Sequence, residues 1–280
     1  MPTISTPSKI AGTRAQNATI HFSGSTSQER EAVVDKVIKE TGATLIPPYD
    51  YVDVILGQGT TALETVQQVE DLLSDDPSLG VQRDSKELDA IITPCGGGGL
   101  LSGTAIALHP TPTLVFGAEP SHQGADDARR GVASGSRITT VQSLTIADGL
   151  RTPLGTHNYS IISNPDYVSG LYAVTEQNIK DAMRLVLERM KCFVEPSAVV
   201  GLATVLFNEE FRRRVESEGG AEGWNLGVVF SGGNTTVEAL VGLFGEGGVS
   251  GDGGRKEKQV EREEGLVGRD GKKVAENVAG

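Results

Sequence analysis

The chain has 280 residues, 38% hydrophobic and 22% charged, enough for one large domain or two smaller ones around substantial cores. A formal net charge of −12 argues against nucleic acid as a partner, because neutralising phosphates needs a basic face. The sequence has no apolar run of about 18 residues and no basic-then-apolar leader, so neither a membrane span nor a secretory signal is read; Cys95 and Cys192 build no disulfide framework and point to a reducing, cytoplasmic setting.

Residues 1–56 read as a small, partial α/β domain. "TRAQNATIHFS" predicts the tail of a helix and then a strand over 18–22. "TSQEREAVVDKVIKETG" predicts a helix that Ser25 or Ser27 can cap, with Ala32, Val33, Val37 and Ile38 at helical spacing and Gly42 at its end. "ATLIPPY" follows as a strand stopped by Pro47 and Pro48.

Residues 57–244 read as a larger domain. "GQGTTALETVQQVEDLL" predicts a helix after a glycine turn, "SDDPSLGVQRDSKE" a polar connector and "LDAIITP" a buried strand. The run "TPCGGGGLLSG" leads into the helix "LLSGTAIALH" and the strand "TLVFGAEP". "TEQNIKDAMRLVLERMK" predicts a helix capped by Thr175, with Ile179, Ala182, Met183, Val186, Leu187 and Met190 as its apolar stripe. Pro196 opens another helix, "PSAVVGLATVLFNEEFRRRV", and "NLGVVFSGGNTTVEALVGLF" is again strand, glycine turn, helix. This alternation predicts an α/β fold with a mostly parallel twisted sheet and helices on both faces. Residues 245–280 are glycine and charge with little to bury, and predict a disordered tail.

A strand, a glycine run and a helix start present bare amides and a partial positive charge to an anion. Gly96, Gly97, Gly98 and Gly99 stand where a phosphate would be held by backbone alone; a plain tight turn is the equal alternative. The run fits neither the P-loop nor the dinucleotide spacing, which disfavours a nicotinamide-dependent dehydrogenase. In "FSGGN", Ser231 falls at the carboxyl end of the sheet, where open α/β folds bind ligands, although a turn with a capping serine reads as well. "EPSHQGADD" offers Glu119, the backbone oxygen of Ala125 and Asp127, hard donors that suit Mg²⁺ or Ca²⁺, with a solvated acidic turn as the alternative. The four histidines show no zinc-ligand spacing, and Cys95 reads as a packing residue.

Together "PTISTPSKIAGTRAQNA", "GQGTTALE", "TPCGGGGLLSG", "GAEPSHQGADDA", "TIADGL", "ERMKCFVEPSA" and "VVFSGGN" resemble, in order, the serine racemase and serine/threonine dehydratase family of pyridoxal-phosphate enzymes, which has the tryptophan-synthase-β-like fold. The resemblance runs from Met1 to about Leu240. It implies that Gly96–Gly99 with Leu100 cup the cofactor phosphate, that Ser231 hydrogen-bonds the pyridine nitrogen, and that Glu195 lies near the ring. It implies a divalent cation at Glu119, Ala125 and Asp127, with Asp89 a weaker match, and ATP as an activator contacting Lys191 and Asn234. Small hydroxy amino acids (serine, threonine or 3-hydroxyaspartate) are the implied substrates, and a homodimer the implied assembly.

The family's lysine segment, of the Ser-Phe-Lys-x-Arg-Gly type, and its Ser-Gly-Asn-His segment occur nowhere in these 280 residues. No catalytic residue is therefore assigned, and the chain is expected to be an amino-terminally truncated form. Two readings follow. One is a racemase or ammonia-lyase that removes an α-proton and then returns it or eliminates the hydroxyl; the other is a catalytically inactive homologue with a binding role.

Overall fold

The computed structural model describes residues 1–3, 5, 7–24, 27–79 and 88–245. Ser25, much of the polar connector and the expected tail from residue 246 onward lie outside these residues.

Two helices open the chain, α1 (Pro7–Ala15) and α2 (Ser27–Thr41), the second ending at Gly42 with φ +69°. The strands expected over 18–22 and 43–49 do not form. Those segments make no ladder, and only an isolated bridge joins Pro2 to Ser23. Met1 and Thr3 exchange backbone hydrogen bonds with His21 and Ser23 only at the end of the first segment, too few to build a ladder, and no ladder forms at the second.

The next helix, α3 (Val52–Asp75), starts earlier than the expected glycine turn and carries Gly57 and Gly59 inside it. It packs on α4 (Gly99–Leu108), and Gly59 serves that crossing, whereas a β-carbon on Gly57 would meet nothing within 4 Å. A β-carbon on Gly59 would lie 2.7 Å from the carbonyl oxygen of Gly103, and one on Gly103 would lie 2.6 Å from the amide nitrogen of Gly59. Close helix approach, not a turn, explains Gly59. Beside that contact, Val52, Leu56 and Leu63 of α3 stay more than half exposed.

Four parallel strands form the sheet: β1 (Ala90–Pro94), β2 (Leu114–Pro120), β3 (Gly170–Val174) and β4 (Leu226–Val228), in the order β3-β2-β1-β4. Ala90 pairs with Leu114 on one side and Leu226 on the other. Side chains alternate across a strand, so the two faces bury different sets. Ala90, Ile92, Phe116, Ala118, Tyr172 and Val174 face a core shared with α7 (Glu176–Leu185), α8 (Val200–Phe207) and α9 (Glu209–Gly219). Ile91 and Val115 face a second core completed by α3, α4, α5 (Asp127–Ser134) and α6 (Thr156–Ile162). This is the doubly covered parallel sheet expected from the sequence.

Thr175 caps α7 in a reciprocal box with Asn178, and the helix runs on through a π turn over Val186–Met190. The single helix expected from Pro196 is instead a 3₁₀ turn followed by α8 and α9. Asn208 breaks them apart: its backbone is extended, and its side chain accepts from the amide of Phe211 to start α9. A final helix, α10 (Val237–Gly245), closes the described residues. None of their helices is long and apolar enough to cross a membrane.

Candidate active site

The glycine run lies between the carboxyl end of β1 and the start of α4, where a parallel sheet opens to ligand. Among the described residues, no hydrogen bond is donated by the amides of Gly96, Gly97, Gly98, Gly99 or Leu100. Five adjacent free donors at a helix start form an anion site whenever their amides converge. Gly98 adopts φ +92°, and a β-carbon there would lie 2.9 Å from Asn158 Cβ and 3.0 Å from Ile162 Cδ1. Only glycine satisfies both constraints.

Three chain segments hold the loop from behind. The ring of Tyr49 lies against Gly97. The carbonyl oxygen of Gly97 accepts from the amide of Gly155 at 3.1 Å and from Nδ2 of Asn158 at 2.8 Å. Gly96 packs on the backbone of Gly149 and Leu150 in "TIADGL". Asp50, next to Tyr49, caps α6 by accepting from the amides of Thr156 at 2.8 Å and His157 at 2.9 Å. Tyr49, Asp50 and Asn158 escaped sequence reasoning because their partners are 61 to 109 residues away and no local motif marks them.

Ser231 follows β4 on the neighbouring strand. The register, continued past the pairing of Ile92 with Val228, sets Ser231 level with Cys95, one residue before the glycines. Glu195 joins the same corner: its amide donates to the carbonyl oxygen of Gly232 at 3.1 Å. Burial pushes the Glu195 carboxyl above the usual range, the Asp148 carboxylate adds to that, and Lys9 opposes it. Lys9 donates to Asp148 Oδ2 at 2.5 Å. Lys9, Asp148, Glu195, Asn234, Thr235 and Thr236 line a cavity of about 580 Å³.

Glu119 and Asp127, assigned to a cation, are both buried near the carboxyl end of β2. Glu119 accepts from the amides of Ala128 at 2.9 Å and Arg129 at 2.8 Å, and Asp127 accepts from that of Leu154 at 2.9 Å. Ala125 is buried beside them. Burial drives the Glu119 carboxyl well up, and Asp127 adds to it; burial likewise raises Asp127 to about 6. No cluster of three or more His, Cys, Asp or Glu side chains suited to a metal occurs among the described residues. Asp89 is not brought to this group. It precedes β1, accepts from the amide of Asn225, and lies about 20 Å along the sheet from Glu119 at strand rise. Lys191 is exposed and donates to the carbonyl oxygen of Glu188, whereas Asn234 lines the cavity.

The parallel sheet thus brings a loop of free backbone amides, a serine and a carboxylate to one end. The profile of pyridoxal-phosphate dependent enzymes matches residues 1–232, and the chain belongs to that family. It is 40% identical over 228 residues to a serine racemase of Dictyostelium discoideum, covering 80% of this chain and 62% of that protein. It is 33% identical over 248 residues to an L-threo-3-hydroxyaspartate ammonia-lyase of a Pseudomonas species, covering 87% and 68%. Maize serine racemase superposes with a TM-score of 0.71 at 36% identity, over 85% of this chain and 66% of that one. The fold is thus the one that serine racemase and threonine deaminase share. The chain spans about three fifths of the length of the serine racemases it matches (62% and 61%).

Proposed function

We propose that this chain belongs to an amino-acid racemase or ammonia-lyase that acts on a small hydroxy amino acid with pyridoxal phosphate as cofactor. The observation that carries the reading is the Gly96–Leu100 run, five free amides around a residue that only glycine can occupy, with Ser231 and Glu195 at the same corner. The residues fit the cofactor: a dianionic phosphate matches five unpaired donors, and a neutral hydroxyl matches an unprotonated ring nitrogen. When bound, pyridoxal phosphate supplies an electron sink that acidifies the α-proton of an amino acid.

In this reading Gly96–Leu100 hold the phosphate and Ser231 donates to the ring nitrogen. Glu195, raised by burial and by Asp148, stays in its neutral form to a higher pH than a free carboxyl. A divalent cation at Glu119, the Ala125 carbonyl and Asp127 would relieve two carboxylates that burial pushes toward their neutral forms, and would tie β2 to α5.

One observation favours a binding role for the chain by itself. Lys9 is the only lysine lining the cavity among the described residues, and it is held by Asp148 instead of free. Assay of the chain with pyridoxal phosphate and L-serine, L-threonine or 3-hydroxyaspartate separates the readings. Appearance of the D-enantiomer, or of a keto acid with ammonia, supports the enzyme. Retention of cofactor through desalting with no product from any of the three leaves the binding role.

A further inference from the structure

We propose that Asn158 is a positioning residue for the phosphate cradle, acting through the carbonyl of Gly97; this rests on the cofactor reading above. In a trans peptide the C=O and the following N–H point in opposite directions. The Gly97 carbonyl is turned toward α6, where Asn158 Nδ2 at 2.8 Å and the Gly155 amide at 3.1 Å both donate to it. The Gly98 N–H is therefore turned the other way, off the α6 side of the loop. Two donors on one carbonyl oxygen fix that peptide plane, and the positive φ of Gly98 then sets the direction of the amides that follow.

Asn158 has no other orientation that serves. Its Nδ2 also donates to the Tyr49 carbonyl at 3.3 Å, so a flipped amide would face its oxygen at two carbonyl oxygens. In the orientation present, Oδ1 is buried with no partner, on a residue that is 0% exposed. A buried unpaired acceptor is unfavourable for stability. An apolar side chain of similar volume would avoid that penalty, but it would release the Gly97 peptide. The side chain is therefore better suited to aiming the loop than to packing α6.

The test compares binding of pyridoxine 5′-phosphate and of pyridoxine to the full 280-residue chain by titration calorimetry. Neither ligand carries an aldehyde, so no lysine chemistry contributes. Asn158→Ala is expected to weaken pyridoxine 5′-phosphate by about tenfold, the scale of one charge-assisted hydrogen bond, and to leave pyridoxine within about twofold. Asn158→Asp, of equal size, keeps α6 packed but presents oxygens to both carbonyls, and is expected to show the same selective loss. Thr175→Ala removes a helix cap on α7 and serves as the destabilised control that keeps the phosphate preference. Equal phosphate preference in the wild-type chain and both Asn158 variants overturns the role of Asn158 while leaving the cradle standing. No phosphate preference in the wild-type chain overturns the cradle, and the role of Asn158 with it.

Discussion

Lys9 and Asp148 meet at 2.5 Å although 139 residues separate them, and their pair forms the charged wall of the cavity beside Glu195. Each side chain keeps about a third of its exposure (31% and 32%), so the contact contributes at most about 1 kcal/mol to stability. The pair also bears on Glu195, whose carboxyl burial and Asp148 push up and Lys9 holds down. Lys9→Met is therefore expected to raise the Glu195 carboxyl further while shifting the melting temperature little. An NMR titration of that carboxyl in both forms checks the direction; an unchanged midpoint means Lys9 does not face it in solution.

Burial places Asp127 at about 6, above its ordinary 3.8, so the fold favours the protonated form. That contribution is complete below the unfolded value and is lost as pH rises through about 6. Without divalent cations, the wild-type melting temperature should fall across that window relative to Asp127→Asn, whose amide keeps an acceptor for Leu154. Ca²⁺ or Mg²⁺ should restore the wild type above pH 6 and leave the variant unmoved. Thermal scans across pH, with and without each cation, read both effects, and equal cation responses would remove Asp127 from the cation site.

Gly98→Ala tests the loop backbone. The alanine must hold φ +92° and push Asn158 and Ile162 aside, a cost of about 2 kcal/mol or more. The expected result is a lower denaturant midpoint together with weakened pyridoxal phosphate binding. A stable variant with full cofactor affinity would mean the loop has another route to the anion.

Much of this architecture was legible locally. The alternation of "LDAIITP" and "TLVFGAEP" with helical stretches gave the parallel sheet, and Thr175 announced its own cap. Residues 18–22 and 43–49 have strand composition but enter no ladder among the described residues, the first meeting residues 1–3 only at an isolated bridge, and composition does not report pairing. Gly59 read as part of a turn because a glycine that admits a neighbouring helix looks the same in one dimension as a glycine that bends the chain. The Gly96–Gly99 run was visible because its chemistry is contiguous. Its supports, Tyr49, Asn158 and Leu150, arrive from three distant segments and became visible only in the fold. Asp89 matched a cation position by sequence context, yet strand direction puts it at the far end of the sheet from Glu119.

The measurement closest to the central claim is a backbone ¹⁵N–¹H NMR titration of the chain with pyridoxal phosphate. The account predicts that the amides of Gly96, Gly97, Gly98, Gly99 and Leu100 shift together and saturate with the cofactor, and that inorganic phosphate moves the same set more weakly. Saturable binding that leaves those five amides unmoved would contradict it and place the phosphate elsewhere.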